Sequence, residues 1–130
     1  MIIKDGLDKI TIDDLSNLRN DAIDTVNDCL YHYRYQKIDD GALSVIRDDL
    51  YASEPDCIDN GNIIIMASPY VTIVEGQYKA TIYYEVCKYN EDEEIDNDPI
   101  LEFDDSDDFE LIAKKIDKIN HKNSEYVQEK

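Results

Sequence analysis

Glycine is scarce in this chain, with four in 130 residues, and the loops that glycine builds are missing with it. There is no Gly-rich phosphate loop and no Gly-x-Ser-x-Gly elbow, which removes the commonest nucleotide-binding and hydrolase signatures. Histidine is limited to His32 and His121, and no His-Glu-x-x-His is present. The three cysteines, Cys29, Cys57 and Cys87, are odd in number and widely spaced, without any Cys-x-x-Cys. A disulfide framework and a structural zinc site are therefore not expected. Tryptophan is absent, so any aromatic platform for a sugar would have to be tyrosine. Long apolar runs are absent too. The longest, Ile63–Ala67, falls far short of the roughly 20 residues that a membrane-spanning helix needs. The opening stretch carries Lys4 and no apolar segment of signal-peptide type, so a cytoplasmic location is expected. No cofactor and no metal ion is implied.

Positive charge is the remaining shortage. Thirteen Lys and Arg face 31 Asp and Glu, a formal net charge of −18. A domain this small usually carries a net charge of magnitude about 2–8. Residues 1–88 hold 16 acids and 8 bases, and residues 89–130 hold 15 acids and 5 bases. The excess is spread along the chain but is densest after Lys88. Between Asn90 and Glu110 there are twelve acidic residues and no Lys or Arg. Such a field repels nucleic acid, anionic membrane and acidic substrates, and attracts basic protein surfaces and cations. A hydrophobic content of 42% nevertheless argues that most of the chain folds around one core.

The order of elements follows from periodicity. Thr11 is placed to cap a helix whose first turn holds Asp13 and Asp14. At 100° per residue, Leu15, Leu18, Ala22, Ile23, Val26, Cys29, Leu30 and Tyr33 share one arc. Asp13, Asp14, Asp21, Asp24 and Asp28 share the opposite one. Arg19 falls inside the apolar arc, where such a residue snorkels or pairs with a carboxylate elsewhere. Leu43, Ile46 and Leu50 space a short second helix after a turn at Asp39-Asp40-Gly41. Glu54–Asn62 reads as a loop by its Pro, Gly, Asn and Asp content. Ile63–Val74 and Gln77–Tyr89 read as strands of a hairpin turning at Glu75-Gly76. Pro69 marks an edge position or a bulge. In the second strand Tyr78, Ala80, Ile82, Tyr84 and Val86 form the core-facing set, and Lys79, Thr81, Tyr83, Glu85 and Cys87 the other. Pro99–Phe103 is a short third strand. Ser106 or Asp105 then caps a last helix with Phe109, Ile112, Ala113, Ile116 and Ile119 as its stripe. The sequence thus predicts an α+β fold: an antiparallel β-hairpin or three-stranded sheet packed against two N-terminal helices and one C-terminal helix. One domain is expected over residues 1–120, with 121–130 a frayed tail.

Catalysis finds little material. Cys29 and His32 lie three apart on the first helix, but a nucleophilic pair also needs an orienting third group and a pocket. A buried thiol beside a surface histidine accounts for them as well. An EF-hand loop centred on Gly61 fails at two ligand positions, Ile58 and Ala67. Loose divalent binding among Asp96–Asp98 or Asp104–Asp108 is chemically reasonable, but those stretches lack the Gly turn of a dedicated loop. No enzymatic activity is expected.

The carboxylates themselves are the candidate site. One row is Asp14, Asp21, Asp24 and Asp28, ending beside Tyr31 and Tyr35. The other is Glu91, Asp92, Glu93, Glu94, Asp96, Asp98, Asp104, Asp105, Asp107 and Asp108, continuing toward the last helix. Carboxylates three or four apart on a helix sit about 5–6 Å from one another. Alternate residues of an extended chain sit about 6.6 Å apart. Both spacings are similar to a row of phosphates, which proteins bind by neutralising them with Lys and Arg. In size, charge and scattered acidic rows the chain resembles the acidic DNA-mimic inhibitors made by phages and other mobile elements, among them anti-restriction and anti-CRISPR proteins. No sequence motif carries that resemblance. It implies a target that is a basic nucleic-acid-binding protein, a CRISPR effector nuclease before a restriction enzyme, inside the bacterial host. Two alternatives use the same charge: an immunity protein or antitoxin neutralising a cognate basic toxin, and an acidic regulatory protein with no nuclease target. No direct binding to nucleic acid or membrane is expected.

Overall fold

A computed structural model describes residues 2–3, 9–90, 92 and 94–128, with side chains placed for 9–90, 92 and 94–120. The elements run β1 (Ile2–Ile3), α1 (Ile12–His32), α2 (Asp40–Ala52), β2 (Asp56–Asp59), β3 (Ile63–Val74), β4 (Gln77–Lys88), β5 (Leu101–Asp104) and α3 (Phe109–Gln128). The fold is α+β, with two N-terminal helices and one C-terminal helix, as the sequence predicts. The sheet is larger than expected. Strands β2 to β5 pair antiparallel in sequence order, and β1 adds parallel to β2. The stretch read as a loop at Glu54–Asn62 contains β2. Its four residues become a strand because β3 offers Ile64–Ala67 as a hydrogen-bonding edge.

Local chemistry explains most boundaries. Thr11 and Asp14 form a reciprocal capping box at the start of α1. The Asp14 amide donates to Thr11 Oγ1 at 3.1 Å, and the Thr11 amide to Asp14 Oδ2 at 2.9 Å. Asp39 caps α2 by accepting from the Ala42 amide at 2.8 Å, so Asp39 is the helix start rather than part of a free turn. Glu75 and Gly76 both take positive φ, 52° and 77°. A two-residue hairpin loop needs that to match the strand twist. The cap of α3 differs from the expectation. Neither Ser106 nor Asp105 performs it. Asp108 does, its Oδ1 accepting from the Glu110 amide at 3.0 Å, because Asp104 and Asp107 hold residues 104–107 in a turn of their own. Helix α3 runs past Asn120 to Gln128.

All three helices cover one face of the sheet. Leu15, Leu18 and Ala22 of α1 and Ile112, Ala113 and Ile116 of α3 meet Ile63, Ile65, Ile82, Tyr84, Val86 and Phe103. The Tyr84 ring stacks on Phe103 at 4.6 Å and meets Phe109 edge-on at 5.8 Å. A second cluster joins Val26 of α1 and Leu43, Ile46 and Leu50 of α2 to Val71, Ile73, Tyr78 and Ala80. The core-facing set predicted for the second strand is packed as expected, but Cys87, placed in the other set, is also buried, with Cys57 and Ile64, in a small cluster on the opposite face. Arg19 pairs with Asp105 at 3.7 Å, tying α1 to the turn after β5, so its place in the apolar arc is explained by a distant carboxylate. Pro69 sits in β3 beyond the last β2 partner, Ala67, where the strand has an open edge on that side.

Candidate interaction surface

Helix α1 buries Leu15, Leu18, Ala22 and Val26 and turns Asp21, Asp24 and Asp28 outward. These three carboxylates have no hydrogen-bond or ion-pair partner among the described residues. Residues 21, 24, 28 and 31 follow one another at three or four positions, so they lie along one line of the helix surface. Ten residues at 1.5 Å each make the line about 15 Å long. Tyr31 ends it, 65% exposed, and Tyr35 follows in the turn beyond the helix, 88% exposed. Between the rings lies Arg34, with its guanidinium 3.8 Å from the Tyr31 centroid and 4.4 Å from that of Tyr35. Its Nη1 donates to the Tyr31 carbonyl at 2.7 Å. One guanidinium thus contacts both rings, an attraction of about 0.5–1 kcal/mol for each at an exposed site. Asp14 stands apart from this line because its carboxylate serves the capping box.

The second row does not form one line. Glu91 and Glu93 lie outside the described residues. Asp92, Glu94 and Asp98 are exposed, and Asp96 is half-buried. Asn90 Oδ1 accepts from the amides of Asp92 and Glu94, at 2.9 and 3.0 Å, and Asp96 Oδ1 accepts from Asp98 at 3.1 Å. Asp104 accepts from the Ser106 amide and hydroxyl, and those bonds hold its carboxyl below the usual value. Asp107 Oδ2 accepts from the Asp104 amide at 2.9 Å. Asp105 faces Arg19, and Asp108 caps α3. Much of the acid density at Asn90–Glu110 is thus local: side-chain oxygens that close turns and start a helix where backbone amides need acceptors. Sequence spacing could not separate these carboxylates from free ones, since the same residue types do both jobs.

Two concavities lie beside α2. A cleft of about 480 Å³ lies between the end of α2 and the open edge of β3, lined by Thr25, Arg47, Tyr51, Pro55 and Tyr70 among others. Its one cation among the described residues, Arg47, is occupied. Arg47 Nε donates to the Val71 carbonyl at 2.9 Å, and the guanidinium lies 4.6 Å from the Tyr70 ring centroid. A shallower depression holds Cys29, His32, Tyr33 and Asp49. Burial first, and then the charge of Asp49, push the Cys29 thiol up, away from the thiolate that nucleophilic chemistry requires. The His32 ring packs edge-on against Tyr33 at 5.1 Å. Tyr33 donates to Asp49, a bond that raises the phenol to about 12. Among the described residues no group of three or more His, Cys, Asp or Glu could hold a metal ion, and no helix is long and apolar enough to cross a membrane.

Comparison with known protein families, with curated proteins and with solved structures finds no match to this chain.

Proposed function

We propose that the protein is a non-catalytic inhibitor that presents the outer face of α1 to the basic nucleic-acid-binding surface of another protein, with a nuclease as the favoured target. One observation carries the reading. Among the described residues Asp21, Asp24 and Asp28 stand unpaired on one line of α1, and that line ends in two exposed tyrosines contacted by Arg34. A chain with net charge −18 attracts a basic cleft at long range, and the carboxylate line offers it successive charges about 5–6 Å apart. Charge governs association rate and selectivity more than affinity, and Tyr31 and Tyr35 supply what charge does not. Aromatics are typical anchors of protein interfaces.

The concentration of aromatic surface at one end of the line also favours an immunity-type reading, in which the protein neutralises one basic toxin through a compact anchor. Competition separates the two. The protein is immobilised and exposed at low salt to a lysate of the cells that carry its gene, and the retained partner is challenged with duplex DNA. Release by DNA supports occupation of the nucleic-acid site. Retention against DNA, with loss on Tyr31→Ala plus Tyr35→Ala, supports the immunity-type reading. Equal capture by an Asp21→Asn, Asp24→Asn, Asp28→Asn bait removes the carboxylate line from either account.

A further inference from the structure

Asn60-Gly61, in the turn between β2 and β3, is the one Asn-Gly pair of the sequence. The turn calls for both residues. Gly61 takes φ 86°, which a side chain would strain, and the buried Asn60 side chain makes one donated and two accepted hydrogen bonds at one point. The pair is also chemically reactive. Glycine has no Cβ, so its amide nitrogen is little hindered in approaching the preceding Asn side chain. In that reaction Gly61 N loses its proton to solvent base and bonds to Asn60 Cγ. The Cγ–Nδ2 bond breaks and ammonia leaves, closing a five-membered succinimide. Water then opens the ring at either carbonyl, giving aspartate or isoaspartate. The balance is one water taken up and one ammonia released, with no change of oxidation state.

The fold holds the reacting atoms apart. The Gly61 N–H donates to Asp59 Oδ1 at 2.9 Å, so it is aimed at a carboxylate rather than at Asn60 Cγ. That carboxylate is itself fixed by the Tyr89 hydroxyl, which donates to Oδ2 at 2.6 Å, and its charge disfavours loss of the Gly61 proton. Asn60 Oδ1 accepts from the Asn62 and Ile63 amides, both at 2.9 Å, which fixes the plane of the side-chain amide. Nδ2, the leaving group, donates to Asn120 Oδ1 at 3.1 Å. Of the bonds to the Asn60 side chain, only this last one comes from a distant element, since Asn120 belongs to α3.

We propose that Asn60 is a self-modification site of this chain, closed while α3 is docked and opened when α3 lifts Asn120 from the β2–β3 turn. Opening of a single element costs less than global unfolding. The products do not restore the contact. Aspartate replaces the Nδ2 donor by a charged oxygen in a buried place, and isoaspartate adds a methylene to the main chain of the turn that joins β2 to β3. Each conversion therefore weakens the seat of α3. The carboxylate line of α1 takes no part.

Site-resolved mass spectrometry of the full chain, incubated at mildly alkaline pH, tests the inference. In urea Asn60 is expected to convert faster than any other asparagine of the chain. In the folded chain it should be slowed in proportion to the closed population. Asn120→Ala removes the bond to Nδ2 and is expected to speed conversion about 5–30-fold while the chain stays folded, the change that losing such a bond makes in a closed-to-open ratio. Ile116→Val and Ile46→Val separate local from global opening. Each trims a fully buried side chain by one carbon, but Ile116 packs α3 against the sheet and Ile46 packs α2. The first should speed conversion severalfold and the second should leave it unchanged. Circular dichroism checks that each variant is folded. A folded native chain that converts as fast as the chain in urea overturns the proposal, as does an Asn60 that stays intact in urea. So does a folded Asn120→Ala chain that keeps the native rate, or an Ile46→Val chain accelerated as much as Ile116→Val.

Discussion

Asn60→Ala is expected to cost far more than its small size suggests. Asn60 and Asn120 are the two buried polar side chains of the described core, each 3% exposed. Asn60 Nδ2 donates to Asn120 Oδ1 at 3.1 Å, joining the β2–β3 turn to α3. Asn60 Oδ1 accepts from the Asn62 and Ile63 amides, both at 2.9 Å. Alanine removes all three bonds and leaves the buried Ile63 amide and the Asn120 oxygen without them. A buried polar group stripped of its partner costs about 1–3 kcal/mol, so the total should be about 3 kcal/mol. Asn120→Ala strands only Asn60 Nδ2 and should cost about 1–2 kcal/mol. For a chain of this length the first loss lowers Tm by about 10 °C. Urea unfolding of the two variants, with the slope m unchanged, gives the comparison. A loss below about 1 kcal/mol for Asn60→Ala, or a larger loss for Asn120→Ala, would refute the assignment of Asn60 as the hub.

Three further outcomes are expected. Tyr84→Phe should stabilise the protein by about 1 kcal/mol, since the Tyr84 hydroxyl is buried with no partner among the described residues while the stacked ring is kept; a clear destabilisation in the same urea assay would mean that the hydroxyl has a partner. Replacing Asp21, Asp24 and Asp28 together with Asn should raise stability by about 0.5–1 kcal/mol at low salt, because it removes the like-charge pairs 21/24 and 24/28 on one helix face. That gain should vanish at high salt, and a loss of stability would show that the carboxylates have partners. Stability should also fall as pH rises through about 10 to 12. The Asp49 hydrogen bond raises Tyr33 to about 12, and burial followed by the Asp59 hydrogen bond raises Tyr89. Unfolded tyrosine ionises near 10, so the folded state holds these protons more tightly. Their contribution is intact below about pH 10 and is lost as pH climbs through the folded values. Urea midpoints that stay flat across this window would contradict the two tyrosine–aspartate bonds.

The helices were legible because each carries a strong local contrast. The apolar and acidic arcs of α1, its Thr11 cap and the stripe from Phe109 to Ile119 follow from spacing alone. The hairpin followed from β-branched runs flanking Glu75-Gly76. Strand β2 was not legible. Asp56–Asp59 sits among Pro, Asn, Asp and Gly, and only pairing with Ile64–Ala67 makes it a strand, which local composition does not encode. The α3 cap was misplaced for a related reason. Four aspartates and a serine between Asp104 and Asp108 can all cap, and the end of β5 decides among them. The acidic lines were partly legible. Asp21, Asp24 and Asp28 could be placed outward from helical period, whereas the local work of Asp104, Asp107 and Asp108 depends on turn geometry. The sequence also put Lys79, Thr81 and Tyr83 on the outer face of β4.

The central claim is that the outer face of α1 meets a basic nucleic-acid-binding surface. Its most direct test is titration of the captured partner with the native chain and with the Asp21→Asn, Asp24→Asn, Asp28→Asn variant, with and without duplex DNA. Native binding should weaken with salt and with DNA, and the variant should bind roughly tenfold more weakly, as loss of a few exposed charge pairs implies. A variant that binds as tightly as the native chain, or a native complex indifferent to DNA and salt, would contradict the account.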